Sequence, residues 1–143
     1  MTFDTYDPEL ADLMLTAGED HLDGLPAYLG IRIIEVGPGT VTAELDVRAE
    51  LLNPFGAAHG AVLSSLVDHV LGSAVLPLVP RGSWPATTAF KVNYLAPARE
   101  GPLRAVATVE SLSKRLAVVR VEVTNGGRVV GLAQGTVAIS APR

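Results

Sequence analysis

The spacing of apolar positions along the chain changes period three times. From Pro8 to about His21, Leu10, Leu13, Met14 and Ala17 recur at helical spacing while Glu9, Asp12, Glu19 and Asp20 fall between them, which predicts a short amphipathic helix. The period then drops to two. Ile31 to Val36 reads as a strand and Pro38-Gly39 as a turn. Val41, Ala43, Leu45 and Val47 then alternate with Thr42, Glu44, Asp46 and Arg48 as a half-buried strand. Residues 50–58, broken by Pro54 and Gly56, read as a loop. His59 to about Leu76 has neither proline nor turn cluster and is too long for a strand, so it predicts a helix. From Thr87 onward the period is two again. Phe90, Val92 and Tyr94 alternate, Pro97 to Pro102 turns, and Leu103–Leu112, Leu116–Thr124 and Val129–Ile139 are strands, with Asn125-Gly126 marking a hairpin. The order β-β-α-β-β-β-β predicts an α+β domain, a sheet with one long central helix.

Length fits that single domain over 1–143, with 1–25 as a helical extension: 143 residues bury enough surface for a full core without disulfide or metal. Hydrophobic residues at 48% and charged ones at 18% exclude a disordered tail, and the absence of cysteine excludes a disulfide scaffold, a thiolate zinc site and a cysteine nucleophile. The acidic start MTFDTYDPEL lacks the pattern of a signal peptide. Ala57 to Pro80 is interrupted by His59, Asp68, His69, serines and prolines and makes a poor membrane span. The expectation is a soluble cytoplasmic protein without a membrane partner.

Charge is lopsided. Residues 1–68 carry 12 acids against Arg32 and Arg48, whereas residues 69–143 carry three acids against nine Lys and Arg. No linker divides the halves, so either two solvated faces of one domain or an anionic ligand held by the C-terminal half explains the asymmetry. A pI near 5.3 and seven aromatics argue against a nucleic-acid partner.

Chemistry concentrates on the central helix. Leu63, Leu66, Val67, Val70 and Leu71 form its apolar side, and Ala61, Ser64, Ser65, Asp68 and Gly72 form a stripe of small or polar residues. Asp68 is an isolated acid there, costly unless hydrogen-bonded or near water, so it either faces solvent, is satisfied by Ser64 and Ser65, or does chemistry. Asn53-Pro54, Gly56 and Gly60 make a backbone-exposing approach to the helix N-terminus, where free N–H groups and the dipole favour an oxyanion.

These residues carry a resemblance. Asn53-Pro54-Phe55-Gly56-Ala57-Ala58-His59-Gly60, followed by Leu66-Val67-Asp68, resembles the Asn-x-x-Gly-x-x-His-Gly-Gly…Asp signature of hotdog-fold acyl-CoA thioesterases, in particular the phenylacetate-degradation branch. Leu29-Gly30-Ile31, Phe90 to Ala98 and Val130 to Thr136 extend the likeness over residues 26 to 140. The resemblance implies a hotdog fold and hydrolysis of an aryl- or medium-chain acyl-CoA to acid and CoA, with no cofactor and no metal. It implies Asp68 as general base or nucleophile and the Gly60 N–H as the group polarising the thioester carbonyl. Asn53 would hold the attacking water or the carboxylate, His59 would shape the loop and contact the thioester region, and Thr87, with Thr88 as neighbouring candidate, would supply an assisting hydroxyl. Ala61 stands where the family has its second glycine, and with Ser65 and Thr88 it is expected to border the substrate.

Gly60 and Asp68 are eight residues apart, so one helix holds them about 12 Å from each other. A reacting carbonyl needs to be near both. Two antiparallel helices in a symmetric dimer, or in a dimer of dimers, meet that requirement.

Other residues read less sharply. His21, His59 and His69 lack zinc-ligand spacing, and His69 is expected to pack or to sit in an interface. Ser64 and Ser65 lack a nucleophile elbow. Arg81 and Trp84, in the loop Pro80 to Pro85, either line a pantetheine or acyl channel or anchor the loop. Lys114-Arg115, at a turn between strands, either hold the coenzyme's phosphates or blunt a hairpin end. A non-catalytic acyl-CoA-binding hotdog protein is the alternative, and the intact Asn53, Gly60 and Asp68 argue against it. The Asp-x-x-x-x-His arrangement of hotdog hydratases is missing.

Overall fold

The alternation read from the sequence builds one sheet. The computed structural model describes residues 2–16 and 23–142, so the expected continuation of the first helix through Ala17 to His21 lies outside them. Helix α1 (Pro8–Thr16) and helix α2 (Gly24–Leu29) precede strands β1 (Arg32–Gly37) and β2 (Thr40–Val47). Helix α3 (Gly60–Val75) follows, then β3 (Trp84–Tyr94), β4 (Gly101–Leu112), β5 (Leu116–Asn125) and β6 (Arg128–Ser140). The six strands pair antiparallel in the order β1-β2-β4-β5-β6-β3. This is the α+β architecture expected, a curved sheet around one long helix.

Three details differ from expectation. Helix α2 had no signal in the apolar spacing, because its six residues are too few to show a period; Gly30, left-handed at φ 72°, closes it. Strand β3 starts at Trp84, ahead of Thr87, since Pro85 tolerates an edge strand that needs no N–H on its open side. The hairpin between β5 and β6 turns on Gly126 and Gly127, at φ 58° and 78°, one step beyond Asn125-Gly126. Asn125 instead donates from Nδ2 to the carbonyls of Glu100 and Pro102, tying the hairpin to the start of β4.

The core forms where α3 crosses the sheet. Leu66, Val67, Val70 and Leu71 are fully buried against Leu45, Leu103, Ala105, Val119, Val121 and Val137. Truncating such a leucine costs about 2–5 kcal/mol through lost transfer energy and the cavity left behind. By length and composition Gly60–Leu78 is apolar enough to cross a membrane, but 56% of that window is buried inside the protein, where it is the core helix.

The outer face of the sheet settles part of the charge asymmetry. Arg32 pairs with Asp46 at 3.0 Å and Arg120 with Glu110 at 2.7 Å, each within its own half of the chain, whereas Arg104 with Glu44 at 3.1 Å joins a base of the C-terminal half to an acid of the N-terminal half across strands. Arg81 anchors the N-terminal segment, 2.6 Å from Asp7 and 2.9 Å from Glu9, and its hydrogen bond holds the Asp7 carboxyl down to about 2 from 3.8. Among the described residues Lys91, Arg99, Lys114, Arg115 and Arg128 have no carboxylate partner.

The two sheet edges are unlike. Helix α1 packs against β1, which is short, whereas β3 offers an 11-residue edge with exposed Trp84 and Tyr94 at its ends.

Candidate active site

The approach to α3 is built by Asn53. Its Oδ1 accepts from the N–H groups of Phe55 at 2.9 Å and Ala57 at 3.1 Å, which folds the loop on itself and leaves Nδ2 unspent. His59 is the N-cap, and its Nδ1 accepts from Ala61 N–H at 3.0 Å, which fixes the tautomer with the proton on Nε2. Among the described residues the Gly60 N–H has no acceptor, so the positive end of α3 presents one free amide.

Tyr94, at the end of β3, lies over that amide's residue. A Cβ at position 60 would stand 3.0 Å from Tyr94 Cζ and 3.3 Å from its Oη, a tight contact that would push the ring by a few tenths of an ångström. The phenol oxygen is 2.5 Å from Ser64 Oγ. Asn53, Gly60, Leu63 and Tyr94 line one concavity of about 440 Å³.

Asp68 faces out from the middle of α3 and has no hydrogen-bond partner among the described residues. Neither serine satisfies it: Ser65 Oγ donates to the Ala61 carbonyl and Ser64 is engaged with Tyr94. Asp68 lines a second concavity of about 560 Å³ with His69, Gly72, Trp84 and Thr87. A bulge between Thr87 and Ala89 turns Thr87 toward the helix and Thr88 away, and Thr88 Oγ1 donates to the Thr136 carbonyl. Of the two threonines, then, only Thr87 stands beside Asp68. His69 is half-buried with an unpartnered Nε2, and burial pushes its pKa below the usual 6.5.

Lys114 and Arg115 border a third cavity, about 930 Å³, with Phe3, Leu78, Leu112, Ile139 and Pro142. Ser83 lines both this cavity and that of Asp68. Within one chain the expected residues therefore fall into three separate groups: Asn53, His59 and Gly60 at the helix N-terminus, Asp68 and Thr87 at mid-helix, and Lys114 with Arg115 at the β4–β5 turn. Ala61 is exposed beside the first group. Of the pair in the Pro80 to Pro85 loop, Arg81 anchors the N-terminal segment and Trp84 lines the Asp68 concavity.

The sequence reading did not single out Tyr94, His69 or Ser64 as members of these groups. The alternation of Phe90, Val92 and Tyr94 contained the signal for Tyr94, since it fixes which β3 residues face α3.

A family model described as thioesterase superfamily matches residues 55–132. The chain belongs to the thioesterase superfamily. The fold is the hotdog fold of that superfamily, and thioester hydrolysis is its chemistry. The PaaI protein of the Escherichia coli phenylacetic acid degradation operon superposes with a TM-score of 0.81 at 26% identity, covering 93% of this chain and 97% of that one. The phenylacetic acid degradation protein PaaI of Thermus thermophilus superposes at 0.74 with 32% identity, over 81% and 98%. A 1,4-dihydroxy-2-naphthoyl-CoA hydrolase of Listeria monocytogenes is 24% identical over 121 residues, 84% of this chain and 98% of that one.

Proposed function

We propose that the protein is a soluble cytoplasmic acyl-CoA thioesterase acting on aryl or medium-chain acyl groups, with each site shared between two copies of the chain. The observation that carries the proposal is the pairing of an unspent amide at Gly60 with an unpartnered acid at Asp68, set about 12 Å apart on one helix. Antiparallel pairing of two β3 edges about Ala89 would bring the Trp84 end of one copy to the Tyr94 end of the other. The Asp68–Thr87 concavity would then adjoin the partner's Gly60–Asn53 concavity, and the long open edge would be covered.

In such a site the substrate carbonyl oxygen accepts from the Gly60 N–H of one copy. Asp68 of the other copy takes a proton from water held by Thr87 and Asn53 Nδ2, and the water oxygen bonds to the carbonyl carbon. The C=O electron pair moves onto oxygen, where the helix N-terminus stabilises it. Collapse breaks the C–S bond, the leaving sulfur takes the proton from Asp68, and CoA thiol and the free acid depart. Direct attack by Asp68, with an anhydride then hydrolysed, uses the same groups.

Lys114 and Arg115 would take the coenzyme's phosphates. Thr87 and Ala117 both pair with Val137, so they lie two strands apart, and Arg115 is two residues before Ala117, in the turn that leads into β5. The Cα separation is then about 12 Å by strand spacing and rise, within the span of a pantetheine arm running past Ser83.

The test is thiol release from a panel of aryl and aliphatic acyl-CoAs, with Asp68→Asn alongside. Asp68→Asn is expected to lose on the order of 10²–10⁴ in kcat while keeping its size and Tm. Stoichiometric acyl-CoA binding without thiol release in the parent would favour the non-catalytic alternative.

A further inference from the structure

The inference rests on the thioester-hydrolysis reading and adds a residue to it. We propose that Tyr94, backed by Ser64, is a catalytic residue that gives the thioester carbonyl oxygen a second hydrogen bond beside the Gly60 N–H.

Position comes first. Strand β3 presents Phe90, Val92 and Tyr94 toward α3, and the last of these reaches the helix N-terminus. With Oη 3.3 Å from where a Gly60 Cβ would stand, and that Cβ about 2.5 Å from its own nitrogen, the phenol oxygen is at most about 6 Å from Gly60 N. One oxygen accepting from an N–H and an O–H at ordinary lengths along its two lone pairs joins donors about 5 Å apart, a separation inside that limit.

Proton counting supplies the donor. Ser65 and Ser73 donate to carbonyls four residues back on α3, at 2.8 Å and 2.7 Å. Among the described residues Ser64 has no backbone acceptor and faces Tyr94 alone. Two hydroxyls carry two protons and share one hydrogen bond. Whichever is the donor, one proton is left over. If Ser64 donates, the phenol proton is the spare one, in the same concavity as Asn53 and Gly60. A carbonyl oxygen has two lone pairs, and Gly60 uses one. As negative charge builds on that oxygen, a second fixed donor strengthens with it and favours the transition state over bound substrate.

The experiment compares the parent with Tyr94→Phe and Ser64→Ala by thiol release from the best acyl-CoA of the panel. Tyr94→Phe is expected to lower kcat on the order of 10² with KM changed less than about threefold, and Ser64→Ala to lower it less, because Tyr94 still donates. A third protein replaces Tyr6 and Tyr28 by Phe and carries 3-fluorotyrosine at the one remaining tyrosine, position 94. Its more acidic phenol is expected to move the alkaline limb of the kcat profile to lower pH. That variant keeps the ring and hydroxyl, so it reads the proposal even where Tyr94→Phe folds poorly. A Tyr94→Phe kcat within about twofold of the parent, or an alkaline limb that fluorination leaves in place, overturns the proposal. A raised KM at unchanged kcat in a dimeric Tyr94→Phe would make Tyr94 a packing residue and also overturns it. A parent without thiol release on any acyl-CoA would instead remove the thioester reading underneath.

Discussion

A shared site predicts that two inactive proteins rescue each other. The pair is Asp68→Asn, which removes the acid, and Asn53→Asp. The second substitution is chosen from the loop: a carboxylate at position 53 still accepts from Phe55 N–H and Ala57 N–H, so the fold of the loop is retained while the Nδ2 donor is lost. Asn53 shares its concavity with Gly60, and Asp68 lies in another, about 12 Å along the helix. In a mixed dimer one site takes Asn53 from the Asp68→Asn chain and Asp68 from the Asn53→Asp chain, and is intact. The other site carries both lesions. Random reassortment makes half the dimers mixed, each with one good site of two, so about a quarter of parental kcat should return. The assay is thiol release after the two proteins are unfolded together and refolded, with mixed dimers counted by native mass. No recovery when mixed dimers are present would refute the sharing, because sites formed within one chain would each carry one lesion.

Two further outcomes follow from the outlying groups. Replacing Lys114 and Arg115 with alanine is expected to raise KM for acyl-CoA and flatten its salt dependence at nearly constant kcat, while short thioesters without the nucleotide are unaffected; equal losses on both substrates would return the pair to a charged hairpin end. His69 has a folded pKa below 6.5, so its neutral form is favoured by folding: that stability is complete above pH 6.5 and is lost as pH falls toward the lowered value. Between pH 7 and pH 5 the Tm of the parent should therefore fall more than that of His69→Leu, and parallel Tm curves would show that burial does not bias His69.

What the sequence disclosed follows from what period can encode. Val41 to Val47, Phe90 to Tyr94 and the three C-terminal strands each pack one face on the core, most cleanly at Leu103, Ala105, Ala107 and Val109; Thr42, read as facing outward, is buried instead, its Oγ1 donating to Glu35. Helix α2 has too few residues for a period, and the β5–β6 turn was misplaced by one residue because Asn-Gly and Gly-Gly are equally good hairpin centres. Candidate residues were legible where a motif fixes them along the chain, as with Asn53, His59, Gly60 and Asp68. Tyr94 meets Ser64 across 30 residues, a distance that only the register of β3 against α3 determines. Thr87 and Thr88 were inseparable in sequence because a bulge reverses the alternation between them.

The departure at Ala61 can now be weighed. A second glycine at that point of the signature would leave two backbone amides at the helix start open to close approach. Here the Ala61 N–H is already taken by His59 Nδ1, which leaves Gly60 as the one free donor of the pair. The Ala61 methyl is exposed and so obstructs nothing within its own chain. Its cost can arise only from what approaches from outside, which in a shared site is the acyl group or the partner's helix. Gly60 is the opposite case, since a Cβ there would press on the Tyr94 ring, 3.0 Å from its Cζ. The two positions are constrained by different neighbours: at 60 a methyl would crowd Tyr94 of its own chain, and at 61 a methyl meets only what approaches from outside.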